Sequence, residues 1–236
     1  MTDDSATDDR AASAMESLYP FLYSGTSDLP AVLDQVRAST VAKTEEITEL
    51  RRAIARQDGA RIARCAREMA ARFAAGGRLF AFGNGGSATD AAQLATMFLH
   101  PGRLPSGAAA APMPAFGLAN DTSVVTALCN DIGVDVVFAR QLGAFGRAGD
   151  IAVGLSTSGN SDNLLRAFDE AGRRGMLTIG LAGYAGGKMA ELSSIDYLFV
   201  APSASIHRIQ EAQTTIYQVL WSLTAQEVSR VPRHTG

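Results

Sequence analysis

The 236-residue chain is poor in the side chains that most often announce a chemistry: two cysteines, three histidines, one tryptophan and 7% aromatics. Cys65 and Cys129 stand far apart, in no C-x-x-C pair and beside no histidine, which excludes a disulfide framework and a cysteine-based zinc site. Both read as reduced, small apolar residues. No apolar run reaches the roughly 20 residues a membrane helix needs, and the acidic N-terminus is not a basic-then-apolar signal, so the expected compartment is the cytoplasm. An excess of positive charge is missing too: the formal net charge is -3, which supplies no general field for nucleic acid.

What is present is 47% hydrophobic residues with abundant alanine and glycine, a composition suited to helices packed closely on a sheet. Residues 1–14 are rich in Asp, Ser, Thr and Ala and are expected to form a disordered acidic tail. Residues 15–40 read as a helical extension, with a short docking helix within Met15 to Leu29, where Leu18, Tyr19, Phe21, Leu22 and Tyr23 cluster around Pro20. One or two helices are expected between Pro30 and Gln57. The Asp58-Gly59 dipeptide then reads as a break before another helix that ends at Gly76-Gly77.

From there, short apolar runs alternate with helical stretches. Strands are expected at residues 78–82, 115–119, 150–155, 176–181 and 197–200, with a closing helix at 206–228. Such alternation predicts an α/β fold with a doubly wound, mainly parallel five-stranded sheet, occupying residues 41–230. Two strands end in loops of one kind, Gly83-Asn84-Gly85-Gly86-Ser87 and Ser156-Thr157-Ser158-Gly159-Asn160-Ser161, each followed by a helix. Ligands of such sheets sit beyond the carboxyl ends of the strands, where helix N-termini offer unpaired N–H groups. Glycine lets the backbone approach an anion, and small hydroxyls add donors without bulk. Two such loops in one sheet point to a phosphate. Gly83-x-Gly85-x-x-Ala88 also fits a dinucleotide fingerprint, but the acid required about 20 residues later is missing from residues 103–118.

Together with Asn130-Asp131, Gly149-Asp150 and Arg208-Ile209-Gln210-Glu211, these loops resemble sugar isomerase (SIS) domains, and most of all the phosphoheptose isomerase branch, over residues 45–228. The resemblance implies a three-layer fold and a phosphorylated sugar as ligand. It assigns Ser87, Ser156, Thr157, Ser158 and Ser161 to the phosphate, and Asn84, Gly85, Gly86, Asp121 and Gln210 to the sugar. It also implies a homotetramer, with the helices near the N-terminus and 206–228 packed between subunits.

Aldose–ketose isomerisation needs a base for a carbon-bound proton and an acid for the oxygens. Relatives use a Glu and a His, whose positions here hold Met97 and Gln218. Metal-containing relatives bind zinc at positions that here are Gln93, Met97, Gln210 and Gln218, so no metal and no cofactor are expected. Glu211, His207 and His100 remain as substitute catalytic candidates. The expectation is a phosphosugar-binding SIS protein without standard isomerase chemistry. Its rivals are an active sedoheptulose 7-phosphate isomerase with substituted residues, and a regulatory SIS protein of the replication-initiator-binding type, which would have a protein partner.

Overall fold

The structure, a computed structural model, describes residues 29–103, 107 and 109–230. The expected acidic tail at 1–14 and the docking helix within residues 15–28 lie outside the described residues. Chain contacts divide the molecule into two units, Met1–Glu46 and Ile47–Gly236.

The first helix, α1, runs without interruption over Leu29–Ala74. Pro30 sits in its first turn, where a missing N–H costs nothing. The Asp58-Gly59 break expected from sequence does not occur. Asp58 is buried and accepts a 2.7 Å bond from Arg61 Nη1 one turn later, so its carboxylate is satisfied inside the helix. Ile54 and Ile62 enter the same core on either side of the dipeptide, and that burial outweighs the roughly 1 kcal/mol a helical glycine costs. In the first unit, the Thr40 and Thr44 hydroxyls donate to the Val36 and Thr40 carbonyls, and Val32, Leu33, Val36 and Val41 are exposed.

In the second unit the chain alternates strand and helix. The order is β1 (Leu79–Gly83), α2 (Gly86–Leu99), β2 (Ala115–Gly117), α3 (Thr122–Asp131), α4 (Val137–Phe145), β3 (Ile151–Leu155), α5 (Asp162–Arg173), β4 (Leu177–Gly183), β5 (Tyr197–Ala201) and α6 (Ile206–Arg230). Short 3-10 turns precede α4 and β5. The sheet order is β2-β1-β3-β4-β5, and every pairing is parallel. The strands begin and end within two residues of the expected positions. Among the described residues no helix is long and apolar enough to cross a membrane.

Strand residues β1, β3 and β4 are buried throughout because both faces of the sheet are covered. Leu79, Ala81, Ile151, Val153 and Leu155 face a core shared with α1, α2 and α6. Phe80, Phe82 and Ala152 face a second core with α4 and α5. There Phe82 packs on Phe138 and Phe168 at centroid distances of 5.6 and 5.3 Å. A Cβ on Gly154 would lie 2.5 Å from the Phe168 ring, so this strand position is glycine to admit the aromatic layer.

At the opposite end of the sheet from the glycine loops, the fully buried Asp150 holds the β1 and β3 starts together. It accepts from Arg78 N (2.9 Å), Arg78 Nη2 (2.7 Å) and Arg147 N (3.1 Å). Asp150→Asn replaces accepting oxygens with a donor and leaves buried N–H groups and an arginine uncompensated. We expect a loss of about 3 kcal/mol, read in thermal denaturation as a Tm lower by about 9 °C. An unchanged Tm would show that the cluster is dispensable.

Candidate functional site

The connection out of β1 leads to one side of the sheet and the chain later returns to β3 on the other side, so these two adjacent strands flank the point where the winding reverses. Their register pairs Gly83 with Leu155, which brings the 83–87 and 156–161 loops out side by side. The helices that follow lie on opposite faces, α2 with the first core and α5 with the second. Both N-termini therefore converge on one crevice.

In the first loop Gly85 has φ +53°, a left-handed conformation that glycine takes without strain. A Cβ on Gly86 would lie 2.5 Å from Gln210 Nε2, so the α6 amide rests directly on the glycine backbone. Ser87 is buried at the first turn of α2. In the second loop the buried Ser156 Oγ accepts from Gly159 N at 3.0 Å, and Ser158 Oγ accepts from Asn160 N at 3.2 Å. Ser161 is the N-cap residue of α5, yet its hydroxyl makes no capping bond. Thr157 is half-buried between these serines. The structure thus brings together Ser87, Ser156, Thr157, Ser158 and Ser161 with Gly85, Gly86 and Gln210. Asp121 stands at the same end of the sheet, beyond β2, where its carboxylate caps α3 by accepting from Val124 N at 3.1 Å.

Asn84 also makes a contact that the sequence did not announce. Its amide exchanges two 2.9 Å hydrogen bonds with Asn163, one in each direction, so its polar atoms tie the first loop to the first turn of α5. Gln213 is a second residue the sequence reading missed: fully buried on α6, it donates to the Ser156 carbonyl at 3.1 Å. A polar residue in the first turn after the second loop, and a glutamine one turn past Gln210, were the available signals.

The catalytic candidates do not converge. Glu211 Oε2 lies 3.0 Å from Arg208 Nη1, an ion pair along α6. His207 and His100 are exposed, the latter as the C-cap of α2. Met97 packs against the first core and Gln218 is exposed. Gln93 Oε1 accepts from the Tyr217 hydroxyl at 3.1 Å. Three amides and a core-packed thioether do not make a zinc site. No group of three His, Cys, Asp or Glu among the described residues is arranged to hold a metal.

Concavity and chemistry do not coincide in the isolated chain. A groove of about 820 Å³ lies between α3, α4 and α5, but it is open, and several charges at its rim are paired with one another, Arg166 with Asp135 and Arg173 and Arg174 with Glu170. The loop crevice has the convergent donors and is the candidate site.

Comparison with known proteins agrees. The SIS domain family model matches residues 44–183. The phosphoheptose isomerase of Pelodictyon phaeoclathratiforme is 45% identical over 175 residues, covering 74% of this chain and 82% of the relative. That of Nitratidesulfovibrio vulgaris strain Hildenborough is 39% identical over 191 residues, covering 81% and 89%. Among solved structures, a phosphoheptose isomerase from Neisseria gonorrhoeae superposes with a TM-score of 0.73 at 32% identity, covering 81% of this chain and 99% of that one. One from Francisella tularensis gives 0.72 at 28%, covering 83% and 98%. With the family model spanning more than half of it and full-length relatives this similar, the chain belongs to the SIS domain family, as a phosphoheptose isomerase-like member.

Proposed function

We propose that the protein binds a phosphorylated sugar between the 83–87 and 156–161 loops, and that it does so without the Glu/His pair and zinc ion of isomerase relatives. One observation carries the reading: two donor-rich loops open side by side at the reversal point of the sheet, each leading into a helix N-terminus. Backbone N–H groups and hydroxyls at Ser87, Ser156, Thr157, Ser158 and Ser161 would hold the phosphate. Gln210, over Gly86, Asp121 and Asn84 would meet the sugar hydroxyls. Asn163 and Gln213 fix the loops and do not enter this contact set.

The relatives' printed activity makes a seven-carbon sugar phosphate the first ligand to try. A cytoplasmic location and a homotetramer complete the reading, and size-exclusion chromatography at four times the chain mass is the expected outcome for the latter. Met97 and Gln218 support the loss of the standard chemistry, because neither side chain transfers protons at neutral pH. The same residues support independence of metal.

At one hundred times its dissociation constant, sedoheptulose 7-phosphate should stabilise the fold by about 2.7 kcal/mol, read as a Tm rise of several degrees. Unphosphorylated sedoheptulose should give none, and an equal rise from both sugars would overturn the phosphate assignment. A chelator should leave Tm and affinity unchanged.

Asn163→Asp tests the loop geometry, since a carboxylate cannot donate to Asn84 and loses about 1 kcal/mol of pairing. Affinity for the sugar phosphate, from thermal-shift titration, should fall about fivefold. An unchanged affinity with a lowered Tm would reduce the amide pair to a local stabiliser.

A further inference from the structure

The proposed cradle holds dipoles where its ligand brings charge. A phosphomonoester carries about two negative charges near pH 7. Yet neither the 83–87 loop, nor the 156–161 loop, nor the first turn of α2 or α5 contains a lysine or arginine. The first turn of α5 even opens with a carboxylate, Asp162, directly after the Ser161 N-cap.

Lys188 stands beside this turn. The segment that leaves β4 is laid directly on the second loop: a Cβ on Gly159 would collide with the Gly186 carbonyl, and one on Gly187 with the carbonyl of Ser158. Met189 N donates to Gly159 O at 2.9 Å, and Lys188 N donates to Asn160 Oδ1 at 2.9 Å. The main chain of Lys188 is therefore fixed to the loop, while its ammonium ends 3.6 Å from Asp162 Oδ1. Anchored at Asn160 and ending at Asp162, the side chain spans Ser161, whose hydroxyl makes no capping bond.

The residue type and the pairing both suit a group that changes partners. Two of the chain's 21 basic residues are lysines, so lysine is not the default cation of this sequence. It is a compact charge on a stem of rotatable bonds, whereas arginine's planar fork favours one fixed geometry. At 3.6 Å the contact with Asp162 is longer than a hydrogen bond, and both side chains are exposed, so the pair is weak and readily exchanged.

We infer that Lys188 is a phosphate-binding residue of this site, held by Asp162 in the structure and turned onto the anion as the sugar phosphate binds, an inference that rests on the phosphosugar reading and deepens it. At equal distance a doubly charged phosphate attracts the ammonium about twice as strongly as one carboxylate does. Ser161, beneath the lysine stem, is where ammonium and phosphate oxygen meet. Asp162 acts against the ligand, because its carboxylate competes for the lysine and repels the incoming anion. An anionic ligand gains from the exchange of partners and an uncharged sugar does not.

The test measures the affinity of the full chain for sedoheptulose 7-phosphate by isothermal titration calorimetry at low and high salt. Lys188→Met should weaken binding at least about fivefold and flatten its salt dependence, since a screened charge contact is gone. Asp162→Asn should bind at least about twofold more tightly. Both variants should keep the wild-type Tm without ligand to within about 2 °C, because an exposed pair contributes little to the fold. The opposite signs are the readout that a merely structural ion pair would not give, since breaking it from either side would weaken binding. A smaller loss in Lys188→Met, an Asp162→Asn that gains no affinity, or a Tm lowered beyond that range overturns the inference, and binding by wild type then leaves the phosphosugar reading in place. If wild type does not bind the sugar phosphate, both fall together.

Discussion

The parallel pairing of β1 with β3 is the constraint on which the site depends. Parallel strands joined by crossovers end on the same side, so this register brings Gly83 beside Leu155 and sends both following loops into one crevice. The aromatic layer of Phe82, Phe138 and Phe168 beneath Gly154 fixes one face of that pair. On the other face, α2 and α6 pack on Ile151, Val153 and Leu155. With α2 and α5 anchored on opposite faces, their N-termini meet beyond the carboxyl ends of β1 and β3 without any long loop to position them.

Much of this was legible in the sequence because it depends on local pattern. The strands are short apolar runs, and the loops are glycine and hydroxyl clusters at strand ends, so period and punctuation located them. The single α1 helix was not legible at Asp58-Gly59, because the residues that carry the helix through, Arg61 and the core partners of Ile54 and Ile62, act by tertiary packing. The same reason hides the supporting polar residues. Asn163 lies 79 positions from Asn84 and Gln213 lies 57 from Ser156, and only the folded chain shows that they meet.

The candidates that sequence did offer, Glu211, His207 and His100, carry familiar chemistry but face an arginine or solvent.

The Asn84–Asn163 latch has a consequence of its own. Two primary amides that each give and accept one bond form a neutral ring of contacts, so neither protonation nor added salt weakens it across the physiological range. This tie between the two loops is therefore electrostatically silent. Ionic strength acts on the crevice through the charge of the incoming anion, and this amide pair does not respond to it.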